Sequence, residues 1–159
     1  MTLAPAAWSA SSPAADLTVE ANKAAARRVL EEVFPANDET ALRELMDGSS
    51  FVNHEAPPGT PPGLGSVTMF MSLLAAAFSD QRWTIDQVIA EGDLVAIHCI
   101  HSGRHTGNFF GLPATGRQFA YNQMHMIKMR NGKGVEHWAV RDDAGLMRQL
   151  TGTPESNRH

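Results

Sequence analysis

Hydrophobic residues change their spacing along this chain, from a helical period in the first half to a strand-like pattern in the second half. Apolar or small residues three or four apart predict helices over residues 16–34, 37–46 and 66–78. Asp16 is placed to cap the first helix, and Pro35 to end it. After Asp80 the pattern is typical of strands, and it predicts them over residues 82–91, 94–106, 117–130 and 135–141. A short strand is also expected over residues 50–55.

Turn signals join these elements into an α+β fold. Gly92-Asp93 and Asn131-Gly132 predict tight hairpins, and the Pro- and Gly-rich residues 56–63 form a loop. Three N-terminal helices, a curved antiparallel sheet and a short C-terminal helix follow from this order. Helices packed on one side of a bent sheet leave a cone that is open at one end. Such a cone is suited to a hydrophobic small molecule.

Size and composition limit the possible functions. The 159 residues suit one domain, expected over residues 16–152 with flexible tails at 1–15 and 153–159. The net charge of -4 and the scattered cations argue against a nucleic-acid partner. The N-terminal residues lack a signal-peptide pattern and no apolar stretch is long enough for a bilayer, so a cytoplasmic protein without a membrane partner is expected. Cys99 is the only cysteine, which excludes an intramolecular disulfide.

The segment from Glu136 to Leu150 contains the main candidate for a catalytic residue. There an apolar strand ends on a carboxylate and is followed at once by a helix. Counting by twos places Glu136, Trp138 and Asp142 on one strand face. Trp138 would then desolvate Asp142 and raise its pKa, as a general base requires. The alternative is that Asp142 or Asp143 caps the last helix. We expect Asp142 to face the pocket and Asp143 to serve the helix.

Three motifs carry a resemblance to a known family. Residues 136–150 contain E-H-W-x-x-x-D-x-x-G-L-x-x-Q-L, residues 92–95 contain G-D-x-V, and residues 103–117 contain G-x-H-x-G-x-F-x-G-x-P-x-T-G-R. In this order and spacing they resemble the SnoaL-like polyketide cyclases of the nuclear-transport-factor-2-like superfamily, over residues 16–152. Lys128, Gly134 and the second acid Asp143 depart from the usual pattern.

The resemblance implies a cofactor-free cyclase or isomerase of polyketide-like natural products. In such enzymes an aspartate at the position of Asp142 removes an acidic proton beside a carbonyl group, and the enolate closes a ring on a second carbonyl in an aldol-type step. No metal or organic cofactor is then required. The resemblance also implies a homodimer or homotetramer. Two alternatives are epoxide opening in the same cone, as a hydrolase or cyclase, and a non-catalytic protein that binds a hydrophobic ligand.

The remaining candidate residues are mostly histidines. His105 is the expected proton donor or shuttle, and its alternative is to fix the glycine-rich loop through a backbone hydrogen bond. Glu136 is either a pocket acid or a partner of Lys128, and His137 is expected to face away from the pocket. His98, His101 and His105 have a metal-ligand spacing only on a helix; on a strand His101 and His105 are roughly 13 Å apart, which favours a metal-free site. The expected substrate-binding residues are Asn53, His54, His101, Tyr121, His125, Glu136 and Trp138.

Overall fold

The helices occupy the first half of the chain and its end, in a computed structural model that describes residues 13–153. They are α1 (Pro13–Arg28), a π turn (Val29–Val33), α2 (Phe34–Ala36), α3 (Glu39–Leu45), α4 (Leu64–Ala77) and α5 (Asp143–Thr151). The first helix begins at Pro13, so Asp16 lies inside it and does not start it. Residues 13–15, predicted as the end of the N-terminal tail, belong to this helix. Of the predicted tails, residues 1–12 and 154–159 lie outside the described range.

Five strands form one curved sheet. They are β1 (Val52–Asn53), β2 (Phe78–Glu91), β3 (Leu94–His105), β4 (Gln118–Arg130) and β5 (Lys133–Arg141), and they lie in the order β1-β5-β4-β3-β2. The four long strands form the predicted antiparallel meander. The two-residue strand β1 adds a parallel edge, with Val52 opposite Glu136 and Asn53 opposite His137. This fold confirms the predicted α+β class.

Local chemistry explains where the elements begin and turn. The Asp38 carboxylate accepts a hydrogen bond from the Ala41 backbone N–H at 3.0 Å and caps α3. Asn131 and Gly132 both have positive φ, at 50° and 76°. Two successive positive φ angles match the right-handed twist of a hairpin, and Asn-Gly is the residue pair that tolerates them best.

The hydrophobic core lies between the helices and one face of the sheet. Leu30 and Val33 from the helical side pack with Ile97 and Ile127 from the sheet, all at most 2% exposed. In this layer the helices cover a single sheet face and leave the opposite face open. Among the helices in residues 13–153, none is both long and apolar enough to cross a membrane.

Candidate functional site

A cavity of about 380 Å³ opens between the helices and the sheet. Its wall is mostly apolar and includes Leu30, Phe70 and Ile127, with Pro57 contributed by the proline-rich loop. The volume lies in the range of small-molecule sites. The polar residues that line it are Asn53, Glu55, Ser66, Tyr121, Gln123, His125, His137, Arg141 and Asp143.

Strands β4 and β5 decide which side chains reach this cavity. On β4, Tyr121, Gln123 and His125 face it. On β5, His137 and Arg141 face it, whereas Trp138 and Val140 are not among its lining residues and lie on the outward face. Val140 is accordingly 76% exposed. The expectation that His137 faces away was therefore wrong, because the inward face of β5 carries the odd-numbered residues.

Two histidines meet at the cavity wall. His125 Nδ1 lies 3.0 Å from His137 Nε2. The outer nitrogen of His125, Nε2, lies 2.9 Å from Gln123 Oε1, and the outer nitrogen of His137, Nδ1, lies 3.1 Å from Asn53 Oδ1. Burial lowers the pKa of His125 well below its usual value, and burial lowers that of His137 to about 4. We call these residues the histidine pair.

Both amide groups at the ends of the histidine pair have fixed orientations. Gln123 Oε1 accepts a hydrogen bond from the Trp83 indole N–H at 3.0 Å. Asn53 Oδ1 accepts from the Glu55 backbone N–H at 3.2 Å, while Asn53 Nδ2 donates to Ser66 Oγ at 3.0 Å. Each amide therefore presents its oxygen, and not its nitrogen, to the neighbouring imidazole.

One cation borders the same cavity. The Arg141 guanidinium lies 4.0 Å from Glu55 Oε2 and 3.6 Å from Asp143 Oδ1, and its Cζ is 5.5 Å from the centre of the Phe70 ring. Its side chain is only 18% exposed, whereas Asp143 is 66% exposed at the rim. Arg141 is thus a partly desolvated positive charge available to an anion in the cavity.

Asp142 and Asp143 occupy the reverse of their expected positions. Asp142 is the N-cap of α5, where its Oδ1 accepts from the Gly145 backbone N–H at 2.8 Å. A Cβ atom on Gly145 would overlap this carboxylate, so the cap requires glycine there. Asp142 does not line the cavity, and Asp143 does. The D-x-x-G motif therefore describes a helix cap.

Three of the predicted substrate-binding residues lie together on the outer sheet face. His54 Nε2 is 3.0 Å from Glu136 Oε2, and the His54 ring stacks on Trp138 with 4.5 Å between centroids. Glu136 also pairs with Lys128 at 3.8 Å, which was the alternative for this residue. The hydrogen bond from His54 lowers the pKa of Glu136. None of the three lines the cavity, because even-numbered β5 residues point outward, whereas Asn53 points inward as one of the Asn53–His54 pair was expected to do.

His105 serves the glycine-rich loop. It is fully buried, and its Nδ1 accepts from the Thr115 backbone N–H at 3.3 Å and lies 3.0 Å from Thr115 Oγ1. Its ring packs against Phe78, 5.7 Å away, and it does not line the cavity. The structure therefore shows the loop-fixing alternative for His105, and places it away from the position of a proton shuttle.

His101 lies behind the cavity wall. Its ring stacks on Trp83 at 3.8 Å, its Nδ1 is 3.2 Å from the Tyr121 hydroxyl, and burial lowers its pKa to about 3. It therefore supports two lining residues without reaching the cavity itself. His98 pairs with Asp86 at 2.6 Å, apart from His101 and His105. Across residues 13–153, no three His, Cys, Asp or Glu side chains are grouped to hold a metal ion.

Six polar residues of the cavity wall were not predicted as site residues: Glu55, Ser66, Gln123, His137, Arg141 and Asp143. The sequence does contain a signal for His137: Val135 and Ala139, two positions before and after it, are apolar and share its strand face. The larger apolar side chains of Trp138 and Val140 favoured the opposite face as the buried one. Their face is outward here, and the parallel pairing with β1, which sets Asn53 beside His137, was not predicted.

Comparison with known proteins agrees with this architecture. The nogalonic acid methyl ester cyclase of Streptomyces nogalater is 30% identical over 93 residues, 58% of this chain and 69% of that enzyme. The aklanonic acid methyl ester cyclase DnrD of Streptomyces peucetius is 48% identical over 48 residues, 30% of this chain. The match spans only 33% of the length of DnrD.

Solved structures give the same result. IdmH of Streptomyces antibioticus, described as a putative polyketide cyclase, is 32% identical with a TM-score of 0.71, over 82% of this chain and 98% of that one. TsrD of Streptomyces laurentii has a TM-score of 0.75 at 24% identity, over 82% of this chain and 95% of that one, and supports the fold alone. The sequence pattern of the SnoaL-like polyketide cyclase family matches residues 24–150. The chain belongs to the SnoaL-like polyketide cyclase family.

Proposed function

We propose that this protein is a cofactor-free cyclase that closes a ring in a polyketide-like natural product by an intramolecular aldol-type step. The observation that carries the proposal is the largely apolar cavity whose sheet side carries the histidine pair and Arg141 on β4 and β5. An apolar polycyclic body fits such a wall, and its carbonyl groups would meet the polar side. Folding the flexible part of the substrate into a reactive shape supplies a large share of the rate enhancement.

Arg141 is proposed to stabilise the enolate. The negative charge of an enolate rests on a carbonyl oxygen, and a preorganised cation in a partly desolvated site stabilises such a charge more than water does. The partners of Arg141, Glu55 and Asp143, lie at 4.0 and 3.6 Å, so neither forms a short bidentate contact that would occupy the guanidinium fully. Its donors therefore remain available to a ligand.

The role of Asp142 as the general base stays a prediction. Because Asp142 caps α5 and does not line the cavity, we consider other residues for that role. Asp143 is the aspartate that lines the cavity, yet it stands at the exposed rim beside Arg141. Asp143→Asn and Asp142→Asn, compared at equal folded fraction, test the two carboxylates directly. A carboxylate base predicts a loss of about 10²-fold or more in kcat for one of them.

The experiment for the function uses purified protein without added metal or cofactor. The methyl esters of aklanonic and nogalonic acid, named by the relatives, are suitable probes. Ring closure is an isomerisation, so the product has the mass of the substrate and a changed absorption spectrum. Arg141→Met should lose most of this activity, while Arg130→Met, an exposed arginine at the hairpin, should keep it.

The outcomes separate the competing functions. A product that has gained one water from an epoxide substrate indicates epoxide opening. Saturable binding of the esters with no turnover indicates a binding protein. No turnover and no binding of any polycyclic ester overturns the proposal.

We also propose that a second copy covers the outer sheet face, giving a homodimer or a larger assembly. Exposed apolar side chains lie together on this face: Met124 is 47% exposed and pairs with Val140, and Met126 pairs with Trp138. Contiguous apolar surface of this kind favours association. Light scattering after size exclusion tests it, and Val140→Glu should shift the mass to that of a monomer.

A further inference from the structure

The histidine pair has an unusual proton count. Three short contacts connect two fixed acceptor oxygens through four ring nitrogens: Gln123 Oε1 to His125, His125 to His137, and His137 to Asn53 Oδ1, at 2.9, 3.0 and 3.1 Å. Each contact needs one proton to be a hydrogen bond. Two neutral imidazoles carry only two protons between them.

The count holds because neither end can supply the missing proton. Gln123 Oε1 is held by the Trp83 indole N–H, and Asn53 Oδ1 by the Glu55 backbone N–H. Turning over either amide would place two N–H groups against each other. In every neutral arrangement one contact therefore lacks its proton, whereas a pair with one additional proton satisfies all three contacts.

Burial disfavours binding of the additional proton, because a charged imidazolium loses its hydration inside the protein. Desolvation is the main cause that lowers the pKa of both histidines, and the positive charge of Arg141 adds to it. Neighbouring His101 and His54 act in the same direction, while the carboxylates of Glu55 and Asp143 lie within 4.0 Å of the Arg141 guanidinium. The pair is thus neutral near pH 7, and in each contact pattern one ring nitrogen carries no proton toward its neighbour.

We infer that the His125–His137 pair is the general base of the proposed ring closure and holds the substrate proton until it is returned. The inference rests on the proposed function. The substrate C–H bond breaks, its electron pair stays on the substrate as an enolate, and the proton binds the nitrogen that lacks one. The enolate carbon then forms the new C–C bond at the second carbonyl, and the resulting alkoxide oxygen takes the proton back. The pair ends neutral, so no oxidant, reductant or co-reactant is consumed.

Charge and hydrogen bonding both stabilise the protonated form of the histidine pair during this step. The enolate places a negative charge beside the new imidazolium, which opposes the effect of Arg141 and of burial. The proton also completes the third hydrogen bond of the chain. The substrate class follows from the weakness of a neutral imidazole as a base: the reacting C–H must lie between two carbonyl groups, as in a β-keto ester or a 1,3-diketone.

The test isolates proton removal from ring closure. The probe is an anthraquinone with a β-keto ester side chain but no acceptor carbonyl, so it cannot close a ring. In D₂O the wild-type protein should exchange the acidic C–H faster than buffer, measured by NMR. His125→Gln and His137→Asn keep a donor toward Gln123 and Asn53 but remove the base, and each should lower exchange about 10²-fold or more.

A matched control and a charge variant distinguish chemistry from structure. His98→Asn changes a histidine outside the cavity and should leave exchange unchanged. Gln123→Glu places a carboxylate at the outer nitrogen of His125, so the pair should hold its additional proton at neutral pH, and the rise of exchange with pH should move to higher pH. A structural role for the pair would not move this profile.

Deuterium exchange and ring closure, measured together, distinguish failure of the base assignment from failure of the proposed function. Exchange that survives in both histidine variants overturns the inference, as does an unchanged pH profile in Gln123→Glu. If wild type exchanges the C–H of the probe but closes no ring in any ester, the base assignment stands and the proposed function fails. If wild type closes rings and Asp143→Asn alone abolishes exchange, the function stands and the inference fails.

Discussion

Replacing Asp142 by alanine should cost stability and leave catalysis nearly intact. The carboxylate satisfies the Gly145 backbone N–H at 2.8 Å at the start of α5, and an alanine would leave that donor without its partner. Loss of an N-cap side chain typically costs about 1 kcal/mol. For a domain of this size that free energy corresponds to a fall in Tm of about 2–4 °C.

Thermal unfolding and steady-state kinetics on one preparation make the test. Asp142→Ala should show the lower Tm, and at a temperature well below it kcat should stay within about twofold of wild type, since the side chain does not border the cavity. Asp142→Asn should be nearly neutral in stability, because asparagine caps helices as well as aspartate. An unchanged Tm together with a kcat lower by about 10²-fold would refute this reasoning and restore Asp142 as the base.

Three further outcomes are expected. Gly145→Ala should lower Tm at least as much as Asp142→Ala, because the added Cβ would overlap the Asp142 carboxylate; an unaltered melting curve contradicts the cap geometry. The pKa of His137 is about 4 in the folded protein against an ordinary 6.5, so below pH 6.5 the unfolded chain binds more protons, and the free energy of unfolding should fall from pH 6.5 to 4. Denaturant titrations should show a shallower fall in His137→Asn. Burial raises the pKa of Cys99 to about 12, so a thiol reagent at pH 8 should label it only after unfolding; rapid labelling of the native protein would contradict this.

Sequence patterns were sufficient for the layout of the fold. Helical spacing, the Asn131-Gly132 turn and the Asp38 cap are local signals, and local signals survive into the structure. The parallel pairing of β1 with β5 joins segments more than eighty positions apart, and it has no local signature in a two-residue strand. For the same reason nothing in the sequence indicated that Asn53 and His137 meet.

The site was harder to predict because its residues depend on which face of β5 points into the cavity. Shifting the face of β5 by one residue exchanges Glu136, Trp138 and Val140 for His137, Ala139 and Arg141. Hydrophobicity favoured the wrong set, since the outer face of this sheet is itself apolar. Asp142 was misassigned because a carboxylate that ends a strand and begins a helix serves equally as cap or base, and only its contact with Gly145 distinguishes the two.

The short strand β1 has a consequence for how this protein's relatives could diverge. Asn53 is held by His137 on one side and Ser66 on the other, and the His54 backbone N–H donates to the His137 carbonyl at 2.9 Å. The following loop supplies Pro57 to the cavity wall yet carries none of these hydrogen bonds. Exchange of residues 57–61 would therefore alter this part of the cavity wall while Asn53 and the histidine pair stay in register, so ligand preference can change without disturbing the proposed base.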